Sequence, residues 1–141
     1  MNNKIIPLLK RLDFNVLDPW KLTPQKLIKP VLNMPYGQKK KQEWQKLNNI
    51  IGSNNTCAIE KANGVVAVLD GVDVDSGTAS EIGYACARGK PILGFRSDFR
   101  LTGDNEGCTV NVQVEYFIEK SGGKVVTNLS KLKAELKRMF R

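Results

Sequence analysis

The residues that could do chemistry lie in one stretch, Val65-Val-Ala-Val-Leu-Asp-Gly-Val-Asp-Val-Asp-Ser-Gly-Thr-Ala-Ser-Glu-Ile-Gly-Tyr84. Three carboxylates, Asp70, Asp73 and Asp75, follow a β-branched apolar run, and a fourth, Glu81, opens a helical pattern. Carboxylates gathered in this way can act as nucleophiles, hold sugar hydroxyls or ligate a hard cation. A structural reading stands beside these. Thr78-Ala-Ser-Glu81 matches a capping box, in which Thr78 caps the helix and Glu81 bonds back to the Thr78 amide. Asp70-Gly71 and Asp75-Ser-Gly77 are also ordinary turn chemistry. Against this, four acids at one strand end repel one another, which a bound cation or sugar would relieve. Magnesium is the rival ligand, but no Gly-x-x-x-x-Gly-Lys phosphate cradle accompanies the acids, so metal ranks below sugar. Gly77 with Thr78 at a helix start could offer backbone amides to an anion.

Positioning these groups falls to alternating strands and helices. Residues 2–12 read as a short helix and Phe14–Leu17 as a strand ending at Asp18-Pro19. Prolines 19, 24, 30 and 35 make the next stretch an irregular excursion without a long helix. Residues 38–51 form a basic helix and 54–62 a second short one. Val65–Leu69 is the pattern of a strand buried on both faces of a parallel sheet. A helix from Thr78 to Arg88 with Gly89 as its cap, then the strand Pro91–Phe95, completes a βαβ unit. Residues 109–120 fit both strand alternation and helical spacing. Helix is preferred because Ser121-Gly-Gly123 terminates it, leaving Lys124–Thr127 as a strand. Leu129–Phe140 is an amphipathic helix. The alternation predicts an α/β layered fold, whose ligands bind beyond the carboxyl ends of the strands.

Composition removes several classes of function. The chain has 141 residues, a length that fits one domain with one core. With no histidine, Ser-His-Asp and Cys-His catalysis are excluded. Three cysteines at positions 57, 86 and 108, without a Cys-x-x-Cys, argue against a disulfide scaffold or a structural zinc. No stretch reads as a signal peptide or membrane span, so a cytoplasmic protein is expected. The net charge of +8 invites a nucleic-acid reading until the charges are placed. Residues 1–50 carry 10 basic and 3 acidic side chains, residues 51–110 carry 5 and 8, and residues 111–141 carry 7 and 3. The segment holding the motifs is therefore acidic, and Lys39-Lys-Lys41 has no interleaved aromatics, so neither nucleic acid nor membrane is expected as a partner.

The motif residues, with Gly89-Lys-Pro-Ile92, Phe95-Arg-Ser-Asp-Phe-Arg100 and Asn111 downstream, resemble the nucleoside 2-deoxyribosyltransferase family. The likeness runs from about Ile59 to Val126 and is carried mainly by Asp75-Ser-Gly-Thr-Ala-Ser-Glu-Ile-Gly83. The resemblance implies one domain over 1–141, a flavodoxin/Rossmann-like three-layer sandwich with a mostly parallel sheet of four to five strands. Family members open with a strand and a Tyr-Leu-Ala-Gly-Pro-like loop beside the nucleobase; this sequence begins after that point, so that strand is expected to be missing. Asn54 and Asn55 occupy the region of the family's base-side acid.

By the same resemblance, Glu81 is the nucleophile that attacks C1′ of a 2′-deoxynucleoside to give a deoxyribosyl-enzyme ester. Asp75 binds sugar hydroxyls, Asp70 supports the strand end, and Gly77 belongs to the substrate-binding loop. Asn111 reaches the site from a neighbouring subunit, which implies a homodimer or larger homo-oligomer. Substrates are a deoxynucleoside and a free nucleobase, and no metal or organic cofactor is required. Related deoxynucleoside 5′-monophosphate hydrolases carry serine at the positions of Asp75 and Asn111, so an acid at 75 favours a free 5′-hydroxyl. Three alternatives remain: a 2′-deoxynucleoside (5′-monophosphate) N-glycoside hydrolase, in which the intermediate passes to water; a nucleoside-binding module without turnover; and, ranked low, a phosphoribohydrolase with a Gly-Gly-x-Gly-Thr-x-x-Glu motif, whose doubled glycine is here Asp75-Ser76. Arg96 and Arg100 around Asp98 are expected to form one ion-pair cluster in the loop.

Overall fold

A computed structural model describes residues 2–140. In chain order its elements are α1 (Asn2–Arg11), α2 (Pro19–Leu22), α3 (Gln25–Leu32), α4 (Gln38–Lys61), β1 (Val65–Val68), α5 (Ser76–Ala87), β2 (Ile92–Phe95), α6 (Val112–Lys120), β3 (Val125–Val126) and α7 (Leu129–Phe140). The chain divides into two compact units, one of residues 1–15 with 62–141 and one of residues 16–61.

The first unit holds the sheet. Its three strands are parallel in the order β1-β2-β3, with Val65 opposite Ile92 and Gly94 opposite Val125. This is the expected α/β arrangement; among the described residues the sheet has three strands rather than four to five. The ladder runs one residue further at the carboxyl ends, where the Leu69 N–H donates to the Phe95 carbonyl (2.8 Å) and the Arg96 N–H to the Val126 carbonyl (2.9 Å). Full burial on both faces was expected of the Val65–Leu69 run. It belongs instead to β2, all of whose residues are buried, because β2 has a strand on each side whereas β1 has one.

Helices α5 and α6 pack against each other and on the strands, and α7 packs on β2. Leu69, Ile82, Ile92, Leu93, Val110, Ile118 and Leu132 are wholly inaccessible. At roughly 1.5–3 kcal/mol for each such side chain, this apolar packing secures the frame from which the polar strand ends project. Gly94 permits the approach: a Cβ there would lie 2.8 Å from Leu69 Cδ1 and 3.0 Å from Ile118 Cδ1.

Phe14–Leu17 is not a strand. Its first amide is consumed in ending α1, where the Phe14 N–H donates to the Leu9 carbonyl (3.1 Å), the Asp13 N–H donates to Lys10 (3.0 Å), and Asp13 adopts φ +61°. This is a Schellman-type stop with aspartate in the usual glycine position. The Phe14 ring packs edge-on against Phe140, with centroids 5.9 Å apart.

The unit of residues 16–61 is helical. Asp18-Pro19 starts α2 rather than closing a strand: Asp18 accepts the Trp20 N–H (3.2 Å) and Pro19 takes the first helical position, where no N–H is needed. The prolines do prevent a long helix before residue 38, but short helices α2 and α3 occupy the stretch expected to be irregular. Beyond it, α4 runs unbroken through Gly52, where two helices were expected. An interior glycine weakens a helix by about 1 kcal/mol, which the neighbouring turns can absorb. The Asn54 side chain reinforces them by donating to Thr23 Oγ1 (3.0 Å) and the Leu22 carbonyl (3.4 Å).

Candidate active site

The acids after β1 have separate hydrogen-bonding tasks. Asp70 reaches across to the loop after β2. Its Oδ1 accepts the backbone N–H groups of Ser97 (2.6 Å) and Asp98 (2.9 Å), and its Oδ2 accepts the Ser97 hydroxyl (3.0 Å). Asp73 accepts the adjacent Val74 N–H (2.7 Å). Asp75 caps α5, its Oδ2 accepting the Thr78 N–H (3.0 Å) and hydroxyl (3.3 Å).

That last contact overturns the capping box. The helix starts at Ser76 with Asp75 as its cap, so Thr78 is the third helical residue and Glu81 lies a further turn inside, beyond the position from which it could bond back to the cap. Gly77 follows the capping residue; a Cβ there would lie 3.0 Å from Asp75 Oδ2, so glycine lets that carboxylate fold over the helix start. Glu81 is half-buried. Burial pushes its carboxyl above the ordinary 4.5, and the nearby charge of Asp75 pushes it the same way.

Asn111 belongs to a different hydrogen-bonded group. It caps α6, its Oδ1 accepting the N–H groups of Gln113 (3.0 Å) and Val114 (3.3 Å), while its Nδ2 donates to Asp104 Oδ1 (3.4 Å). Asp104 Oδ2 in turn accepts the Val112 N–H (2.6 Å). Asn111→Ala is therefore expected to lower stability by about 1 kcal/mol, whereas Asn111→Ser keeps a capping oxygen without setting a second carboxylate beside Asp104. Urea denaturation checks this, and equal midpoints for the two variants would contradict it.

The expected cluster of Arg96, Asp98 and Arg100 divides in two. Arg100 grips Asp98 with two bonds, Nε to Oδ1 (2.9 Å) and Nη2 to Oδ2 (2.5 Å), and these hold the Asp98 carboxyl well below the usual range. Arg96 turns inward and is 1% exposed. Its Nη1 donates to the Leu69 carbonyl, its Nη2 to the carbonyls of Gly71 (3.1 Å) and Arg100 (2.8 Å), and its Nε to Arg100 (3.3 Å). Composition and charge spacing missed this residue. The available signal was its place directly after the buried run Ile92–Phe95, which carries it into the sheet. Asp70, Ser97, Asp98, Phe99 and Arg100 line an open cleft of about 540 Å³ at this strand end. Among the described residues no three acidic or thiol side chains converge to hold a metal ion, and no helix is long and apolar enough to cross a membrane.

The fold and the site together define an α/β protein with a carboxylate-bearing helix start beyond the carboxyl end of a parallel strand. The model of the family described as nucleoside 2-deoxyribosyltransferase matches residues 1–117, and the chain belongs to that family. The match begins well before Ile59, where the motif likeness starts. The chain is also similar to the crystal structure of a conserved protein from Enterococcus faecalis V583, with TM-score 0.58 and 20% identity over 95% of this chain and 84% of that one. No curated protein matches the sequence.

Proposed function

We propose that the protein is a nucleoside 2-deoxyribosyltransferase acting through Glu81. The observation that carries this reading is the position of Glu81 in a chain of this family: half-buried one turn inside α5, and close enough to Asp75 to feel its charge. The Glu81 carboxylate attacks C1′ of a 2′-deoxynucleoside, and the electron pair of the C1′–N bond leaves with the nucleobase. The departing base takes up a proton; a nitrogen of a second base then attacks C1′ of the ester and gives up its own, restoring the carboxylate and, after two inversions, the original configuration. Splitting a displacement at an oxocarbenium-like centre into two steps in this way is the strategy of retaining glycosidases.

In this reading Asp75 receives sugar hydroxyls, Gly77 leaves room at the helix start, and Asp70 supports the strand end through Ser97 and Asp98. Asn111 acts across the interface of a homodimer or larger homo-oligomer. The match from residue 1 to 117 spans both compact units, which supports treating 1–141 as one family domain with flavodoxin-like layering. The reaction uses no metal or organic cofactor and takes place in the cytoplasm.

The test is incubation with a panel of 2′-deoxynucleosides, with and without a second free base, followed by chromatography. A new nucleoside is expected. Free base alone would make the protein a hydrolase, and neither product from a folded protein would overturn the enzymatic reading.

Glu81 must be ionised to attack, so the rate falls as pH drops through its pKa. With that value raised by burial and by Asp75, the acid limb of kcat/KM is expected above pH 4.5. Asp75→Asn removes the second cause and is expected to move the limb to lower pH in the activity that remains. A limb unmoved in Asp75→Asn would contradict the coupling.

A further inference from the structure

A buried arginine is an expensive way to fill a strand end, and Arg96 has no carboxylate among the acceptors of its four side-chain hydrogen bonds. All four go to backbone carbonyls. Leucine or methionine would fill the space without the desolvation of a cation, so packing alone does not account for this choice. What the guanidinium supplies is a rigid, planar set of donors that fixes several carbonyls relative to one another. The carbonyls of Leu69 and Gly71 belong to the segment leading from β1 towards Asp75, and that of Arg100 belongs to the loop after β2.

Asp70 makes the reciprocal connection. The side chain from the end of β2 grips the carbonyls after β1, while the carboxylate after β1 grips the amides of Ser97 and Asp98 after β2. The Arg96 backbone also binds Val126 at the end of β3, so this one residue joins the carboxyl ends of all three strands. Only three residues separate Gly71 from Asp75, the cap on which α5 starts.

We propose that Arg96 is a positioning residue for the Asp75–Glu81 pair: by fixing the Leu69 and Gly71 carbonyls it sets where the 71–75 segment delivers the start of α5. This rests on the transferase reading for its effect on turnover, but not for its effect on the segment. Arg96 touches no reacting atom in this scheme. It acts through the backbone that carries Asp75.

The test compares Arg96→Lys and Arg96→Met with the wild type by amide hydrogen exchange and by kinetics. Lysine retains the charge but offers a point donor in place of a fork. It is the variant expected to fold if methionine does not. Exchange at residues 71–76 is expected to accelerate about tenfold in Arg96→Lys, with β2 and β3 unaffected, because the loop opens locally. Turnover is expected to fall by about 100-fold, the scale of a misplacement near 1 Å, with KM little changed. Unchanged exchange at 71–76 in a folded variant overturns the proposal. So does accelerated exchange with kcat unchanged. A wild type without glycosyl transfer would instead remove the transferase reading, and the exchange result would still decide whether Arg96 fixes the segment.

Discussion

Glu81→Gln is expected to abolish base exchange, by roughly 10³-fold or more, while leaving the protein folded. The amide has the shape of the carboxyl but cannot form the deoxyribosyl ester. The same substitution has a predictable effect on stability. Burial raises the Glu81 pKa in the folded protein, so the folded state binds the proton more tightly than the unfolded chain does. Stability from this group is greatest below the ordinary value of 4.5 and falls as pH rises through the raised one, so near pH 7 the ionised side chain opposes folding. Glutamine removes that opposition. The melting temperature of Glu81→Gln at neutral pH is therefore expected to equal or exceed that of the wild type, with the difference shrinking in acid. Loss of activity accompanied by a lower melting temperature would point to a structural role for Glu81 instead.

The largest expected loss of stability comes from Gly123→Ala. After α6 the Gly122 N–H donates to Glu119 (2.9 Å) and the Gly123 N–H to Ile118 (3.2 Å), with Gly122 at φ +87°, and the chain turns directly onto β2. A Cβ on Gly123 would lie 1.6 Å from the Ile92 carbonyl oxygen and 2.8 Å from its carbon. Both are backbone atoms of the central strand, so the turn itself must move. That movement strains the adjoining bond from the Gly94 N–H to Lys124 (3.1 Å), through which β3 joins the sheet. A loss of about 3 kcal/mol is expected, the upper range for overpacking. Gly122→Ala is the informative comparison. It has a left-handed φ but nothing within 4 Å of the added carbon, and it is expected to cost about 1–2 kcal/mol. Urea denaturation of the two variants separates close approach from backbone conformation. A Gly123→Ala midpoint at or above that of Gly122→Ala would contradict the packing described here.

Much of the sheet unit was legible because its apolar runs are short, bounded and of distinct period. Val65–Leu69, Pro91–Phe95 and Leu129–Phe140 could each be placed within about two residues of their observed ends, as such patterns allow. The spacing from Asp75 to Glu81 was likewise visible and pointed to the segment that follows β1. What the sequence could not decide was which residue caps α5. Thr78 satisfies the local capping rule, but the chain enters the helix two residues earlier, where Asp75 can reach the Thr78 amide. The fate of Phe14 was hidden for a similar reason. Its apolar neighbours suggest a strand, yet its amide is already engaged in ending α1. Arg96 was obscured by its neighbour, since Arg100 takes the hydrogen bonds of the Asp98 carboxylate while those of the Arg96 side chain go to the backbone. In each case a contact made by the folded chain overrode a pattern that was locally complete.

The central claim is that Glu81 carries the deoxyribosyl group between bases. Intact and peptide mass spectrometry of the protein, quenched in acid during incubation with a 2′-deoxynucleoside without a second base, tests it most directly. The expected result is release of one equivalent of nucleobase with one deoxyribosyl group added to the peptide containing Glu81. Base exchange that proceeds without such an adduct, or with the adduct on another residue, would contradict the account.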